Sequence, residues 1–363
     1  MNKFEKGIKL IEILNSNSFE AYIVGGAVRD YLLNLPLNDI DITTNATIED
    51  VCRLFDNVIM EGSKYLSCRV IYLEEEFEVT MFRKDIEYLD HRHPVTVKAS
   101  TIEEDLVRRD FTINAFAMNS KYEIIDLFEG KKDLVAKVIK TIGKANIRFD
   151  EDALRVLRAL YFSSKLDFIL DDEIIESFKE NHLRHIKEEY VKDMLSKIIS
   201  FNSNKGLEYI VKYNILRSFP YYEELAELAY KYNLKADLFA LYKVLNKDLP
   251  KVLITKKEKN RANIISSLVL EKFSNDILFT NGDSYLEEAL VIYNALYEEK
   301  LCLNDILNKL ENLSIRSIKE IKFDFKLIED KERSKTINKV VGAILNGNIN
   351  NDFNEIKNYL GVV

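Results

Sequence analysis

The stretch that decides the fold lies near the start of the chain, where residues 21–33 read AYIVGGAVRDYLL and residues 38–44 read NDIDITT. The first four residues are apolar and predict a buried strand, and a helix is predicted after the two glycines. Gly25 and Gly26 carry no Cβ, so backbone N–H groups there can approach a phosphate closely. In the first turn of the helix, Arg29 can donate to two phosphate oxygens. A strand-to-helix turn that needs a positive φ would also explain the glycines.

Asp39 and Asp41 belong to the second stretch, where polar and apolar residues alternate as they do in a strand. Residues i and i+2 of a strand point to the same face, so the two carboxylates project together. They repel each other unless cations lie between them, and Mg²⁺ prefers such oxygen ligands. Two Mg²⁺ ions about 3.5–4 Å apart can hold the attacking and leaving oxygens of a phosphoryl displacement. A solvated strand face is the alternative interpretation.

Glu78 offers a third carboxylate. It lies in residues 74–83, EEEFEVTMFR, which begin as an acidic run and continue as an alternating strand. A neighbouring strand with this pattern can bring Glu78 to the two aspartates. A charged residue that protects an edge strand from aggregation is the alternative.

A further polar cluster, RRDFTIN, spans residues 108–114 at the start of a predicted short apolar helix. Arg109 suits a triphosphate. Asp110 and Asn114 are four residues apart on one helical face, where both can hydrogen-bond a ribose hydroxyl. Asp110 can equally serve as the helix N-cap.

Residues 150–160 read DEDALRVLRAL and carry the apolar stripe of a helix. Asp152 and Arg155 lie three residues apart and therefore on one face. On the residues alone, an ordinary ion pair near a helix N-terminus explains them.

Taken in order, the segments GGAVRD, DID, RRDFTINAFA, IDLFEGKKDL and EDALRVLRALYF resemble the bacterial CCA-adding enzymes. These are class II tRNA nucleotidyltransferases of the polymerase-β-like superfamily and are close relatives of bacterial poly(A) polymerases. The resemblance covers residues 20–165 and continues more weakly into the remainder. It implies catalytic roles for Asp39 and Asp41, with Mg²⁺ held by the two aspartates, and Glu78 is the third catalytic candidate beside them. It implies a nucleotide-binding set made of Gly25, Gly26, Arg29, Arg108, Arg109, Asp110, Asn114, Asp152, Arg155 and Arg158.

In the related enzymes, the residues that match Asp152 and Arg155 act as an amino-acid template for the incoming base. A carboxylate accepts a hydrogen bond from an exocyclic amine and a guanidinium only donates, so this pair suits both cytosine and adenine. Arg158 continues the row toward the phosphates. Tyr161 and Tyr190 stand where the family usually has arginine, so the roles of those arginines cannot be transferred to this chain.

The resemblance implies untemplated addition of C, C and A to the 3′ end of tRNA from CTP and ATP, with release of pyrophosphate. An A-adding tRNA nucleotidyltransferase and a bacterial poly(A) polymerase are the enzymatic alternatives. The non-enzymatic alternative is a homologue that binds RNA without catalysing a reaction, and the intact Asp39 and Asp41 argue against it. Residues 84–98 carry charges of both signs, a proline and no clean period, which predicts a mobile loop. Within this range, residues 90–97 resemble the flexible loop of enzymes that add the terminal A, which favours full CCA addition.

Bulk composition fits a large cytoplasmic protein, with one tension. The 363 residues give room for at least two domains, and no stretch approaches the ~20 apolar residues of a membrane span. The three cysteines show neither metal nor disulfide spacing, and the amphipathic N-terminus is not a signal peptide. A net charge of −8 is unusual for a tRNA-binding protein, so local basic patches are expected to make the contact. These patches are Lys131, Lys132, Lys137, Lys140, Lys144 and Arg148, and then Lys251, Lys256, Lys257, Lys259 and Arg261.

The predicted fold is an α/β head with a polymerase-β-like nucleotidyltransferase sheet, followed by an all-α neck, body and tail. The head is expected over residues 1–145, the neck with the base reader over residues 146–200, and the tRNA-binding body and tail over residues 201–363. The sequence leaves the oligomeric state open.

Overall fold

The computed structural model describes residues 1–60, 67–88, 94–178, 182–235, 237–245 and 254–361. The chain divides into two compact units, Met1–Glu223 and Glu224–Val363. The division into head, neck and body remains a prediction. Within the described ranges, no helix is long and apolar enough to cross a bilayer.

The first unit is an α/β structure, as the alternating and apolar runs of the sequence predict. Its strands are β1 (Ala21–Val24), β2 (Asp41–Thr44), β3 (Val58–Met60), β4 (Ser67–Tyr72), β5 (Glu75–Met81), β6 (Arg83–Tyr88), β7 (Pro94–Ala99), β8 (Phe116–Met118), β9 (Ile124–Asp126), β10 (Val138–Ile139) and β11 (Ile169–Leu170). Its helices are α1 (Lys3–Ser16), α2 (Gly26–Leu32), α3 (Ile48–Leu54), α4 (Ile102–Val107), α5 (Gly130–Ala136), α6 (Ala145–Glu151), α7 (Leu154–Leu166), α8 (Asp172–Glu176), α9 (Glu188–Ser200) and α10 (Lys205–Tyr213).

The main sheet of this unit has the strand order β3-β4-β5-β2-β1-β8-β9. Strand β2 lies at its centre, antiparallel to β1 and parallel to β5, and the register pairs Asp41 with Val24 on one side and with Glu78 on the other. Apolar residues of the central strands, such as Ile23 and Val79, are fully buried. The buried residues therefore fix the register, and the register places Asp41 and Glu78 next to each other.

Three local predictions are corrected by the structure. The helix predicted over residues 150–160 is broken into α6 and α7, because Asp152 is extended and its Oδ1 accepts a hydrogen bond from the Leu154 N–H at 3.0 Å. The helix predicted after Asp110 is a single 3₁₀ turn over Thr112–Asn114. The loop predicted over residues 84–98 is an antiparallel ribbon of β6 and β7, and its tip, residues 89–93, lies outside the described residues.

The second unit is helical, as predicted for the remainder of the chain. Helix α11 (Pro220–Tyr232) spans the boundary between the units, and the helices that follow are α12 (Leu238–Val244), α13 (Lys256–Leu270), α14 (Asn275–Asn281), α15 (Leu286–Leu296), α16 (Leu303–Glu311), α17 (Asp330–Leu345) and α18 (Phe353–Leu360). Helix α13 begins with a capping box between Thr255 and Glu258. Its apolar face packs into a core with Ile292 of α15, and Val340 and Ile356 belong to a second core.

Candidate active site

One cavity of about 870 Å³ in the first unit collects the residues that the sequence singled out. Its walls come from strands β1, β2 and β5, the turn into α2, the segment between α4 and β8, and helix α7. The lining includes Gly25, Gly26, Arg29, Asp39, Asp41, Glu78, Arg108, Arg109, Asp110, Asn114, Asp152, Arg155 and Arg158. Residues that are more than a hundred positions apart in sequence thus face one space.

The glycine turn between β1 and α2 is required by geometry on two counts. Gly25 has a φ of +69°, which L side chains rarely adopt, and a Cβ there would lie 2.9 Å from Nη1 of Arg109. The Gly25 N–H donates to the carbonyl of Phe116 at 3.2 Å. Gly25 therefore ties the turn to β8 and lets the Arg109 guanidinium come close.

Arg29 is more deeply buried than a residue that only binds phosphate would need to be. It is 2% exposed, and its Nε and Nη2 contact Oδ1 of Asp30 at 2.8 and 2.7 Å. Its Nη1 donates to Oδ1 of Asn114 at 2.6 Å, and its Cζ lies 5.1 Å from the ring centroid of Phe162. The guanidinium thus holds two cavity-lining side chains in place, a use of its donors that the sequence did not predict.

Asp110 and Arg158 form the adjoining part of this network. Oδ2 of Asp110 accepts from Nε and Nη2 of Arg158 at 2.6 and 2.5 Å, and its Oδ1 accepts from Asn114 Nδ2 at 3.2 Å. Burial on its own would raise the pKa of Asp110, but Arg158 and Asn114 outweigh it and hold that pKa below its ordinary value. Asp110 therefore stays ionised and orients both an amide and a guanidinium toward the cavity.

Asp105, a residue that sequence reasoning missed, orients the two arginines of the RRD segment. It is fully buried, its Oδ1 accepts from Arg108 Nη2 at 2.8 Å, and its Oδ2 accepts from Arg109 Nη2 at 3.1 Å. Burial raises its pKa, yet the two guanidinium groups outweigh burial and the net shift is downward. The i, i+3 and i, i+4 spacing on and after α4 was the available signal.

The three carboxylates at the other side of the cavity are exposed to it. Asp39 lies just before β2, Asp41 begins that strand, and Glu78 is its neighbour on β5. Enclosure by the cavity walls raises the pKa of Asp41, the Arg109 charge lowers it, and the Asp39 charge raises it, with a net upward shift. Enclosure and the Asp41 charge likewise raise the pKa of Glu78. Like charges gathered in this way destabilise one another, and a divalent cation would relieve that repulsion.

The protein supplies only some of the ligands that a divalent metal ion would need at this site. In the described part of the chain, no three His, Cys, Asp or Glu side chains are grouped so that they could hold a metal ion. The hard oxygen atoms of Asp39 and Asp41 suit such an ion, and its remaining ligands would have to be water or substrate oxygens. An open coordination of this kind is common where phosphates are the substrate.

The predicted base reader lies where α6 gives way to α7. Arg155 is 5% exposed, and its Nη1 donates to Oε2 of Glu151 and to the carbonyl of Arg148, both at 2.9 Å. Arg148 in turn donates through Nη2 to the carbonyls of Arg108 and Arg109 at 2.7 and 2.6 Å. Arg148 was predicted to belong to a surface patch, and the structure instead places it in this internal network.

Other cavity residues were not predicted to belong to the site. Lys165, Arg83 and Phe162 line the space, and so does Tyr161, whose ring packs edge-on against Phe162 with centroids 5.0 Å apart. For Phe162 and Lys165 a signal existed, because both lie on the same face of α7 as Arg155 and Arg158. Arg261, predicted to belong to the second basic patch, is engaged in the second unit by Asp237 and Glu288.

Comparison with known proteins gives matches that agree with one another and that together cover most of the chain. Residues 21–140 match the family described as the Poly A polymerase head domain. The CCA-adding enzyme of Ligilactobacillus salivarius is 33% identical over 97% of this chain and 94% of the relative. That of Staphylococcus haemolyticus is 36% identical over 74% of this chain and 70% of the relative.

Solved structures agree with these relatives. The crystal structure of the Bacillus stearothermophilus CCA-adding enzyme in complex with CTP has a TM-score of 0.80 at 28% identity, and the match covers 99% of this chain and 98% of that one. A Thermotoga maritima CCA-adding enzyme complexed with tRNA has a TM-score of 0.69 at 19% identity, with 98% and 94% covered, and supports the fold alone.

Proposed function

Because this chain belongs to the family of CCA-adding enzymes, we propose that it adds C, C and A to the 3′ end of tRNA from CTP and ATP. The reaction is nucleotidyl transfer without a nucleic acid template, and pyrophosphate is released. One observation carries the proposal. The aspartate pair, the arginine-rich phosphate side and the Asp152–Arg155 base reader all line one cavity.

The phosphate side of that cavity is set by the arginines and the glycine turn. Asp105 fixes the direction of Arg108 and Arg109, and Gly25 allows the Arg109 guanidinium to lie against the turn. Guanidinium groups held in this way can stabilise the charge that develops on the phosphates during transfer.

Asp39 and Asp41 are the residues that would hold the catalytic metal, for which we propose Mg²⁺. When bound, Mg²⁺ would neutralise phosphate oxygens and favour ionisation of the attacking 3′ hydroxyl. Asp41 is oriented by its place at the start of β2, between Val24 and Glu78. Glu78 lies beside Asp41, and we propose that it supports this carboxylate pair.

Base selection is assigned to Asp152 and Arg155. The break between α6 and α7 exposes Asp152 to the cavity, and a carboxylate there accepts from the exocyclic amine of cytosine or adenine. Glu151 and the Arg148 carbonyl hold Arg155 in a fixed orientation. Uracil and guanine present a carbonyl in place of that amine, and a carboxylate covered by such a base would have no donor opposite it.

Asp110 and Asn114 are proposed to contact the ribose, since their side chains are already oriented by Arg158 and Arg29. The exposed lysines on and after α5, such as Lys131, Lys132 and Lys137, are proposed to contact tRNA. With tRNA as the substrate, we place the activity in the cytoplasm.

The alternatives predict different products. An enzyme that adds only the terminal A, or a poly(A) polymerase, would not incorporate C. A non-catalytic RNA-binding homologue would incorporate nothing. The relatives that match this chain over most of its length carry the name of the complete CCA-adding activity, and neither enzymatic alternative is favoured.

The decisive experiment uses three tRNA substrates that end at the discriminator base, at C and at CC. Each is incubated with Mg²⁺ and with CTP, ATP, UTP or GTP in turn, and product length is read on a sequencing gel. The proposal expects C on the first two substrates, A on the third, and growth that stops at CCA when CTP and ATP are both present. Addition of A alone would support the A-adding alternative, and continued A addition would support poly(A) polymerase.

A further inference from the structure

Lys165 lies on the face of α7 that lines the cavity, and neither the family resemblance nor the sequence pattern gave it a role. Arg155, Arg158, Phe162 and Lys165 follow one another at spacings of three, four and three residues, so they share one face. The face begins at the base reader. It continues through Arg158 and ends at Lys165, about three turns away.

The charges around Lys165 are unevenly matched. Its Nζ lies 3.9 Å from Oδ2 of Asp30, at the limit of an ion pair, while Oδ1 of Asp30 is held by Arg29 at 2.7 Å. Among the described residues, Asp30 is the one carboxylate that pairs with Lys165. Asp30 therefore serves two cations, and its contact with Lys165 is the longer of the two. Nζ of Lys165 also lies 6.0 Å from the ring centroid of Tyr161.

The surroundings also make this charge costly. The side chain is 31% exposed. Burial and the neighbouring Arg29 lower the pKa of Lys165, whereas Asp30 and Asp39 raise it, and the net shift is downward. A polyanion placed beside Nζ would stabilise the ammonium form.

We propose that Lys165 binds the triphosphate of the incoming nucleotide and does not distinguish between CTP and ATP. The proposal rests on the function given above. Three features favour the triphosphate over the tRNA end as the ligand. Lys165 lies at the end of the α7 face that is farthest from the base reader, and it contacts Asp30, which also pairs with Arg29. Arg29 in turn lies against the glycine turn, since a Cβ added to Gly26 would be 3.4 Å from its Nη2.

A lysine suits this position for a physical reason. Its ammonium is a compact charge on a flexible stem, so it can leave a long contact with Asp30 for a phosphate oxygen without disturbing α7. Arg29, which uses Nε, Nη1 and Nη2 in contacts with Asp30 and Asn114, cannot do the same without breaking the network.

The test compares Lys165→Met and Lys165→Arg with a matched control, Lys205→Met. Lys205 has a similar exposure of 33% and also pairs with an aspartate, Asp167 at 3.1 Å, but it does not line the cavity. Binding of inorganic pyrophosphate, CTP, ATP and cytidine is measured by calorimetry without tRNA, and KM values for CTP, ATP and tRNA are measured in the addition assay. Thermal unfolding of each variant checks that the fold is kept.

We expect Lys165→Met to weaken pyrophosphate, CTP and ATP binding by about tenfold each, the size of one charge-assisted hydrogen bond. Cytidine affinity and the KM for tRNA should not change, Lys165→Arg should recover part of the loss, and Lys205→Met should behave as wild type. Unchanged pyrophosphate affinity, or a rise in the KM for tRNA in place of those for the nucleotides, would overturn the proposal. If the wild-type protein binds pyrophosphate but adds no nucleotide, the proposed function is wrong. The effect of Lys165→Met on pyrophosphate binding would still test the role of Lys165.

Discussion

Nη1 of Arg29 donates to Oδ1 of Asn114 at 2.6 Å, although the two residues are 85 positions apart in the chain. The bond closes a continuous network from Asp30 through Arg29, Asn114 and Asp110 to Arg158. The two guanidinium groups in this network lie 5.1 and 5.4 Å from the same aromatic ring centroid. The side chains proposed to contact ribose, Asp110 and Asn114, are therefore positioned together with Arg29 and Arg158, as one unit.

Asn114→Ala tests this coupling. The change leaves a buried donor on Arg29 and a weakened acceptor on Asp110, which should lower the free energy of unfolding by about 1–3 kcal/mol. It should also reduce the preference for CTP over dCTP, because the ribose contact is lost. Urea unfolding and the ratio of kcat/KM values give the two readouts, with the exposed Asn15→Ala as control. A stable variant with an unaltered preference would remove Asn114 from the ribose site.

Asp39→Ala or Asp41→Ala should abolish nucleotide addition and leave the fold intact, since both carboxylates are exposed to the cavity and a metal would lose a ligand. Glu78→Ala should be less severe. Addition rates, circular dichroism and Mn²⁺ binding followed by electron paramagnetic resonance are the measurements. Asp56→Ala, an exposed aspartate outside the cavity, is the control. Turnover close to wild type in Asp39→Ala would sink the metal assignment.

Asp152→Ala should impair the use of both CTP and ATP and weaken the exclusion of UTP. The reason is that a cavity without the carboxylate no longer penalises a base edge that lacks an amine. The ratios of kcat/KM for CTP over UTP and for ATP over GTP are measured on tRNA ending at C and at CC. Asp150→Ala, whose exposed side chain is outside the cavity lining, should retain both ratios. Equal ratios in Asp152→Ala and wild type would leave Asp152 as a helix cap alone.

Asp105→Asn gives a pH-dependent loss of stability. The pKa of Asp105 is lowered in the folded state, so its ionised form stabilises the fold above the ordinary value of 3.8, and this contribution is lost as the pH falls through the lowered pKa. The variant should be about 3 kcal/mol less stable than wild type at pH 7. The difference should persist to about pH 5 and narrow below the ordinary aspartate pKa.

Urea unfolding at several pH values measures that difference, and pyrophosphate binding at pH 7 reports whether Arg108 and Arg109 have lost their orientation. If the difference in free energy of unfolding between wild type and Asp105→Asn became larger as the pH falls, that would contradict the lowered pKa of Asp105. Asp56→Asn serves as a control, because Asp56 is exposed and does not line the cavity.

The sequence predicted the sheet centre well because its strands are buried and alternate cleanly. β1 and β2 carry apolar residues that only one register can bury. It did not predict the break at Asp152. There the backbone can continue the helix, or the Asp152 side chain can accept a hydrogen bond from the Leu154 N–H, and local geometry decides between the two. The β6–β7 ribbon was also missed, since register shifts near Glu87 interrupt the period of two on which strand prediction depends.

The membership of the cavity was predictable, but its internal bonding was not. Periodicity and family resemblance identify which side chains share a face, yet they do not say which carboxylate a given arginine will choose. Arg148 donates to a carbonyl 40 residues earlier, and Arg29 to an amide 85 residues later. Such long-range pairs depend on how the elements pack, and only the folded structure specifies them.

The β6–β7 ribbon provides the last prediction, which concerns the order of addition. Its base is attached to α4, since Lys84 pairs with Glu104 at 2.7 Å and the Arg83 N–H donates to Asp105 at 3.3 Å. Asp105 also holds Arg108, whose carbonyl accepts from Arg155 at 3.3 Å. A contiguous set of contacts thus joins the ribbon to the base reader, and we expect it to help move the reader from cytosine to adenine.

Replacing residues 88–95 by Asn-Gly tests this expectation, because Glu87 pairs with Thr96 and a two-residue turn can join them. The variant should add both cytidines at nearly the wild-type rate and lose most addition of the terminal A, on tRNA that lacks its 3′ end and with CTP and ATP together. A variant with residues 88–95 changed to serine and glycine at equal length separates the effect of length from that of sequence. Products that still end in CCA at the wild-type rate would show that the ribbon does not act on the base reader.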